Sequence, residues 1–471
     1  MLHGNRTIEL GLLSACAWIF SCVLMPVAVD AHDESPRAAG HSMHSEAYDE
    51  GPRQAAYLMD GMPELEFPVS TASEEAERFF NQGIGQLHGF WYFEAERSFR
   101  QVALLDTNCI MALWGMAMAN HSNEKRAKEF LECAIVRTND VNTTARERLY
   151  IHSLAKFHGA TLPPKPDQDA KDKPKDAGKA EAAKDQNAAK KAESTKPKTR
   201  TDEEENQRHR DYIKDLEQIV EDNPDDLEAK AFLVFKIWDA QGRMRIRSHM
   251  ATEALAQEVL RARPLHPVHH GRIHFWNYEA DRRAVDAAAK CGQGSPGIAH
   301  MWHMPGHTYD ALHRYADAAW QQEASARVDH AYMIRNRVLP DQIHNFAHNN
   351  EWLVRTLNKL GRIEEAIDLA KNMIELPRHP RWNNLSRLSL TNSEGKISDS
   401  AYKGADRKMS SASFGRARLI ETLVNWELWD QTLQIGNTMY LDPTELPEEQ
   451  VQRIRVLALA CFAKGDIEAG S

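Results

Sequence analysis

The fold is decided by the stretch LGRIEEAI, residues 360–367. Apolar residues recur at helical spacing on both sides of the turn in this stretch, over residues 343–360 and 363–376. Gly361 lies just past the first run, where glycine commonly ends a helix, and Ala366 lies early in the second. The stretch therefore predicts a tight turn between two helices, which together form a helical hairpin.

The same pattern recurs along the chain on both sides of this hairpin. The stretch LHRYADAA at 312–319 repeats it well, and FEAERSF at 93–99 and AKGDIEA at 463–469 repeat it in part. Other apolar runs at helical spacing fill most of residues 71–160 and 206–471, and no alternating strand pattern of useful length occurs. The prediction is an all-α chain of successive helical hairpins.

These stretches resemble the tetratricopeptide repeat (TPR). That family has a small residue partway along its first helix, a turn with Gly or an aromatic residue, and a small residue early in its second helix. The resemblance covers most of residues 72–160 and 206–471. It implies a TPR-like right-handed α-solenoid of helical hairpins, interrupted by a disordered charged insertion.

A closer resemblance is to a group of exported bacterial TPR-like proteins. The residues that carry it are CIMALWG at 109–115, HP at 266–267, HMWHMPGH at 300–307 and HN at 344–345. The third stretch has the HxxHMPxH spacing of the group, whereas the histidines that follow the second are shifted by one residue. The resemblance implies a fold and export from the cytoplasm, and it implies no particular activity.

The 471 residues are predicted to divide into five segments. Residues 1–31 have the charge, apolar stretch and small-residue cleavage site of a signal peptide. Residues 32–70 are predicted to be a disordered lead, and 161–205 a disordered linker rich in Lys, Ala and Asp. Residues 71–160 and 206–471 carry the TPR-like helices.

Cleavage before His32 would release the protein into the periplasm or cell envelope, with no membrane span left. Two alternatives stay open at this point. The apolar stretch at 10–29 is just long enough for an uncleaved anchor helix, and Cys16 lies in a sequence that resembles a lipoprotein box. The formal net charge of −10 and the pI of about 6.1 argue against nucleic acid as a partner.

Four cysteines remain after this cleavage, and none lies in a CxxC pair or another tight metal-ligand spacing. Cys109 and Cys133 lie on neighbouring predicted helices. They could form a disulfide in an oxidising compartment, or they could be two small buried residues.

Three histidines, His270, His307 and His344, follow one another at intervals of 37 residues. Equivalent positions of stacked repeats line one continuous surface, so the interval predicts a histidine-lined concave groove. Pro305 suits the first turn of a helix over 305–313, which would put His307 near a helix N-terminus. The dipole there disfavours the charged imidazolium, and the neutral imidazole is the form that binds metal.

Two functions are consistent with this groove. The favoured one is a scaffold without enzymatic activity that binds a protein or peptide partner. The residues predicted to contact that partner are His300, Trp302, Asn345, His348, Asn349 and Trp352.

The alternative is a site for zinc or copper, with hydrolysis as a further step within it. The predicted ligands are His270, His274, His303, His307 and His344. Purely structural packing of the histidines is a third interpretation. No HExxH, GxSxG, Walker A or GxGxxG pattern occurs, so no catalytic residue and no resident cofactor are predicted.

Overall fold

The structure is a computed structural model that describes residues 54–138, 142–161, 200–277, 279–343, 345–377, 410–443 and 447–470. All regular structure in these ranges is helical, which confirms the all-α prediction. The predicted signal peptide, residues 32–53 of the predicted lead and residues 162–199 of the predicted linker lie outside them. No helix in the described ranges is long and apolar enough to cross a lipid bilayer.

Eighteen α-helices, labelled α1 to α18 in chain order, make up the described ranges, with short 3₁₀ turns between some of them. They are Glu74–His88, Tyr92–Leu105, Met111–Ala119, Glu124–Arg137, Ala145–His158, Asp202–Asp222, Leu227–Asp239, His249–Ala262, Val268–Trp276, Val285–Gly294, Ala299–Ala311, Tyr315–Asn336, Phe346–Lys359, Ile363–Glu375, Ser411–Asn425, Trp429–Ile435, Pro447–Ala463 and Ile467–Gly470. The 3₁₀ turns are Ala240–Gly242, Asp281–Ala284 and Pro340–Gln342.

Five of the turns between paired helices share one backbone geometry. In each, the second residue after the first helix has a positive φ, and the N–H of the next residue donates to the carbonyl five residues before it. This is the Schellman motif, which satisfies carbonyl groups that the helix end leaves unpaired. The residues with positive φ are Phe90, His313, Gly361, Glu427 and Gly465. Their equivalence identifies the pairs as repeated units of one TPR-like solenoid.

Each helix packs mainly against its neighbours in the sequence. The buried apolar side chains form a series of clusters, the largest of which span residues 67–233, 273–318 and 319–456. Cys109 is buried and Cys133 is exposed, and both are free thiols. The disulfide alternative is therefore wrong, and Cys109 packs as a small buried side chain.

The prediction of a disordered lead is wrong for residues 54–70, which we call the N-terminal strap. Phe67 is fully buried, with its ring centroid 5.7 Å from that of Trp114 and 5.2 Å from that of Tyr150. Its backbone N–H donates to Asn81 Oδ1 at 2.9 Å. The strap has no helical period, so its sequence resembled a loop, but its apolar side chains fill the core between the helices.

The strap also bonds to helices that are far apart in the sequence. The amide of Asn336, at the end of α12, donates to the hydroxyl of Tyr57 at 3.0 Å. The N–H of Gly297, just before α11, donates to the carbonyl of Gly61 at 2.7 Å. Gly61 has φ +74°, and a Cβ there would lie 2.6 Å from the Gly297 nitrogen, so only glycine fits.

The second helical region begins slightly before the predicted boundary at residue 206. Helix α6 starts at Asp202, because Thr201 and Glu204 form a reciprocal capping box. The Thr201 hydroxyl accepts from the Glu204 N–H at 3.2 Å, and the Glu204 carboxylate accepts from the Thr201 N–H at 2.7 Å. The end of the predicted linker is therefore helical.

Candidate functional site

Three helices bring six histidines to one region of the fold. Helix α9 carries His270 and His274, and α13 carries His348. Helix α11 carries His300, His303 and His307, whose spacing of three and four residues puts them on one face. The predicted start of α11 at Pro305 is wrong, because the helix begins at Ala299 and Pro305 lies inside it.

The first trio consists of His270, His274 and His300. One ring nitrogen from each lies within 4.8 Å of the others. The ring of Phe90 lies against all three, with centroid distances of 4.5, 5.5 and 5.5 Å. The indole of Trp238 covers His274 at 4.1 Å. The trio thus combines nitrogen donors from two helices, and aromatic side chains pack against them.

The orientation of His270 is set from outside the first trio. Its Nδ1–H donates to the carbonyl oxygen of His88 at 2.5 Å, which leaves the lone pair on Nε2. Nε2 is buried and has no hydrogen-bond partner in the described part of the chain. Burial lowers the pKa of His270 to about 3, so the ring is neutral at physiological pH. Metal-bound histidines are typically held by an outer hydrogen bond of this kind.

The second trio consists of His303, His307 and His348, again with ring nitrogens within 4.8 Å of one another. His303 Nδ1–H donates to Gln322 Oε1 at 2.7 Å, and His348 Nδ1 lies 3.4 Å from the Glu351 carboxylate. His307 Nε2 lies 2.7 Å from His303 Nε2, close enough for a shared proton. The Nδ1 atoms of His303 and His348 thus have acceptors that fix the two rings. Nδ1 of His307 is buried and has no hydrogen-bond partner among the described residues.

Burial also keeps His307 neutral. It lowers the pKa of that ring to about 3, with a smaller contribution from the neighbouring His348. The helix dipole proposed from the sequence is not the cause, because His307 lies in the last part of α11 rather than at its start. Glu351 has a lowered pKa, because His348 and Arg418 outweigh its burial, so it is ionised beside the second trio.

A third group, formed by His88, Glu228 and His266, has a different character. His266 Nδ1 accepts from the Val268 N–H at 3.0 Å, so its Nε2–H donates to Glu228 at 2.9 Å. Both ring nitrogens of His266 are therefore engaged. His88 Nε2 lies 2.6 Å from the other oxygen of the same carboxylate. The pKa of Glu228 is raised by burial but lowered more strongly by His266 and His88.

This third group supports the first trio instead of forming a separate ligand set. The ionised Glu228 fixes the ring of His88, and the carbonyl of His88 orients His270. Sequence reasoning missed His88 and Glu228, which are 140 residues apart. No local spacing relates them, so only the packing of α1 on α7 and α9 reveals the group.

The structure divides the predicted site residues differently from the sequence. His300 and His348, predicted to contact a partner, complete the two trios. His344, a predicted metal ligand, lies outside the described residues. The predicted helix over 343–360 begins at Phe346.

The remaining predicted partner residues fall into three settings. Trp352 lies beside the second trio, with its ring 4.3 Å from that of His307. Trp302 faces the other side of α11 and packs against Trp320 at 5.6 Å. Asn345 and Asn349 are buried, and the Asn349 amide donates to Asp329 at 2.7 Å, so neither presents an open surface.

Comparison with known proteins adds little to this description. No known family model matches the chain, and no curated protein matches it. A solved structure of the APC/C hetero-tetramer Cut9–Hcn1 is similar at 11% identity, covering 84% of this chain and 71% of that one, with a TM-score of 0.27. A monomeric mutant of IFIT1 with Gppp-AAAA is similar at 11% identity, covering 85% and 89%, with a TM-score of 0.25. Scores this low carry no argument, so the fold rests on the helices and turns described above.

Proposed function

We propose that this protein binds zinc or copper ions at the first and second trios, which a TPR-like scaffold holds next to each other along α11. The observation that carries the proposal is the convergence of three imidazole nitrogens within 4.8 Å in each trio. In three of the six rings, those of His270, His303 and His348, a hydrogen bond or ion pair at Nδ1 also holds the ring in place.

The donor set determines which ions fit. Each trio offers three imidazole nitrogen donors and contains no carboxylate. Imidazole suits zinc and copper, whereas calcium and magnesium prefer oxygen ligands. Three protein ligands leave a coordination position open, as in catalytic zinc sites. The hydrolysis considered from the sequence would need that position, and the proposal stops at binding.

Charge around the second trio also favours a cation. The Glu351 carboxylate lies next to His348 and is ionised. Its negative charge compensates in part for a divalent ion and orients the ring through Nδ1, as carboxylates do in many zinc sites. The carboxylate nearest in role at the first trio is Glu228, which contacts no trio histidine and instead holds the ring of His88.

The test is metal analysis of the full chain after chelation and reconstitution with zinc or copper. The wild type is expected to retain two ions per chain. His274→Ala and His348→Ala should each lose one, and the double variant should lose both. His330→Ala, on the exposed surface of α12, is the matched control and should retain two. The proposal fails if the wild type retains no stoichiometric ion, or if the control loses as much as the trio variants.

Binding of a protein or peptide in a concave groove is the second candidate function. TPR-like solenoids present extended surfaces to partners, and Trp352 offers a suitable anchor here. Its ring is half-buried, and the Arg355 guanidinium lies 4.1 Å from its centroid. Tryptophan and arginine are enriched among the residues that dominate binding energies. Peptides selected on the wild type from a displayed library should lose binding to Trp352→Ala if this function is correct.

Export to the periplasm or cell envelope belongs to the same proposal, as does membership of the bacterial subgroup with the HxxHMPxH stretch. The support is the sequence of residues 1–31. N-terminal sequencing of the protein from fractionated cells tests it. A mature chain that begins at His32 is the expected result, and an intact Met1 in the cytoplasmic fraction would refute export.

A further inference from the structure

A separate cavity of about 340 Å³ lies beside the first trio, within the range typical of small-molecule sites. It is bounded by the turn between α1 and α2 and by α5, α6 and α7. Its aromatic walls are formed by Phe90, Tyr92, Phe157, Tyr212, Phe235 and Trp238. This lining provides flat apolar surfaces on several sides, which suits a planar ring.

Buried imidazoles in this cavity have nitrogen atoms without hydrogen-bond partners in the described part of the chain. His158 is only 2% exposed, and neither of its ring nitrogens is bonded. Nδ1 of His88 and Nδ1 of His209 are also buried and unbonded. Burying a polar atom without a hydrogen-bond partner is unfavourable, so three such rings around one cavity indicate a polar occupant.

The charged groups of the lining are mostly cationic. Arg208 has a buried Nε without a partner, although its terminal nitrogens pair with Glu124 and Glu205 outside the cavity. Lys236 is paired with Asp239 at 2.8 Å, so these two charges offset each other. Arg243 lies at the exposed rim with no ion-pair partner among the described residues. The charge of Arg208 is likewise offset by its two carboxylate partners, so the charge that favours an anionic group is that of Arg243 at the rim.

We propose that this cavity binds a small aromatic acid. Its ring packs between the aromatic walls, its carboxylate faces Arg243 at the rim, and a hydroxyl or similar polar group bonds to the imidazole of His158. Each group of the ligand matches one feature of the lining. The ring matches the flat walls, the carboxylate the cationic rim, and the hydroxyl the unbonded nitrogens.

This inference does not depend on the metal proposal. Phe90 borders both the cavity and the first trio, but none of the three trio histidines lines the cavity. The binding experiment is accordingly done on metal-stripped full-length protein, so that failure of one proposal leaves the other intact.

The test is isothermal titration with 4-hydroxybenzoate as the probe and 4-hydroxybenzyl alcohol as its neutral counterpart. The wild type is expected to bind one molecule of the acid, and to bind it more tightly than the alcohol. Arg243→Gln should lower the affinity for the acid about tenfold, as expected for the loss of one charge-assisted hydrogen bond. The affinity for the alcohol should stay unchanged. Arg245→Gln removes the same charge two residues away, outside the lining, and should change neither.

A second variant tests the imidazole. His158→Phe keeps an aromatic ring but removes both nitrogens, so it should lower the affinity for both probes. Thermal melting of the variant checks that its fold is intact. The proposal is overturned if neither probe binds saturably, if the alcohol binds as tightly as the acid, or if Arg243→Gln and Arg245→Gln behave alike.

Discussion

The Nδ1 atom of His270 lies 2.5 Å from the carbonyl oxygen of His88, which precedes it by 182 residues. A backbone group of the first hairpin therefore orients a side chain of α9. The His88 ring is held in turn by Glu228 at 2.6 Å. This chain of contacts makes the geometry of the first trio depend on the first hairpin, whereas the second trio depends on Gln322 and Glu351.

The two trios should respond to different carboxylates. Glu228→Gln is expected to weaken metal binding at the first trio by less than the ~10–100-fold effect of losing a direct outer-sphere partner, because it acts only through His88, and to leave the second unchanged. Glu351→Gln should do the reverse. Metal titrations of the two variants, each in a background where the other trio carries a single His→Ala substitution, measure the effects separately. A uniform loss in both backgrounds would contradict this division.

Gly306 should be required for the second trio. A Cβ at this position would lie 2.2 Å from Gln322 Nε2, so Gly306→Ala must displace the side chain that holds His303. We expect a loss of ~1–3 kcal/mol in unfolding free energy and weaker metal binding at the second trio. Denaturant unfolding and metal titration are the measurements.

The control for this change is Gly242→Ala. A Cβ at Gly242 would meet nothing within 4 Å, so the added methyl group should be tolerated. If the two alanine variants were equally stable and bound metal equally well, the packing role assigned to Gly306 would be wrong.

Acidification should lower the free energy of unfolding, because buried histidines resist protonation in the folded state. Burial, with a smaller contribution from Arg208, lowers the pKa of His158 to about 3. The ordinary pKa of histidine is 6.5, so between about pH 6.5 and 3 the unfolded chain binds a proton that the folded chain does not. The stability contributed by the neutral ring is complete above pH 6.5 and is lost as the pH falls. Unfolding free energies measured from pH 7 to 4 should decline less steeply in His158→Phe than in the wild type.

Asp329 should act in the opposite direction. Burial raises the pKa of this carboxyl to about 8 from an ordinary value of 3.8, although the hydrogen bond from Asn349 partly opposes the shift. Between these two pH values the folded chain holds a proton that the unfolded chain releases, so stability falls progressively as the pH rises from about 3.8 to about 8.

Asp329→Asn removes this titration while keeping the shape of the side chain. We expect it to raise the unfolding free energy by at least ~1 kcal/mol at pH 9, where the wild type has a buried charge, and by much less at pH 5. Equal effects at the two pH values would show that the carboxyl is not protonated in the folded state.

The hairpins could be predicted from the sequence because their signals are local. Gly361 and Gly465 mark turns where a left-handed residue is needed, and the helical period identifies the flanking helices. The equivalent positions Phe90, His313 and Glu427 carry side chains despite a cost of ~1–2 kcal/mol for the left-handed conformation. No glycine marks these three positions in the sequence, because tertiary packing determines their backbone.

The site was predictable only as a set of histidines. Their spacing shows which of them share a helix face, but the division into two trios depends on how α9, α11 and α13 pack. The start of α11 was misplaced because proline is common in the first turn of a helix. Here Pro305 lies in the interior, and its missing N–H leaves one helical hydrogen bond unmade.

The N-terminal strap affects how this solenoid unfolds. In an array held together only by neighbouring repeats, the ends can fray while the middle stays folded. The strap contacts α1 through Gln82, α8 through Arg263 and α12 through Asn336, so opening any of these helices disturbs an element that the others share. The described part of the chain should therefore unfold more cooperatively than its repeats would without the strap. The histidines of α9 and α11 should keep their relative positions until the whole array unfolds.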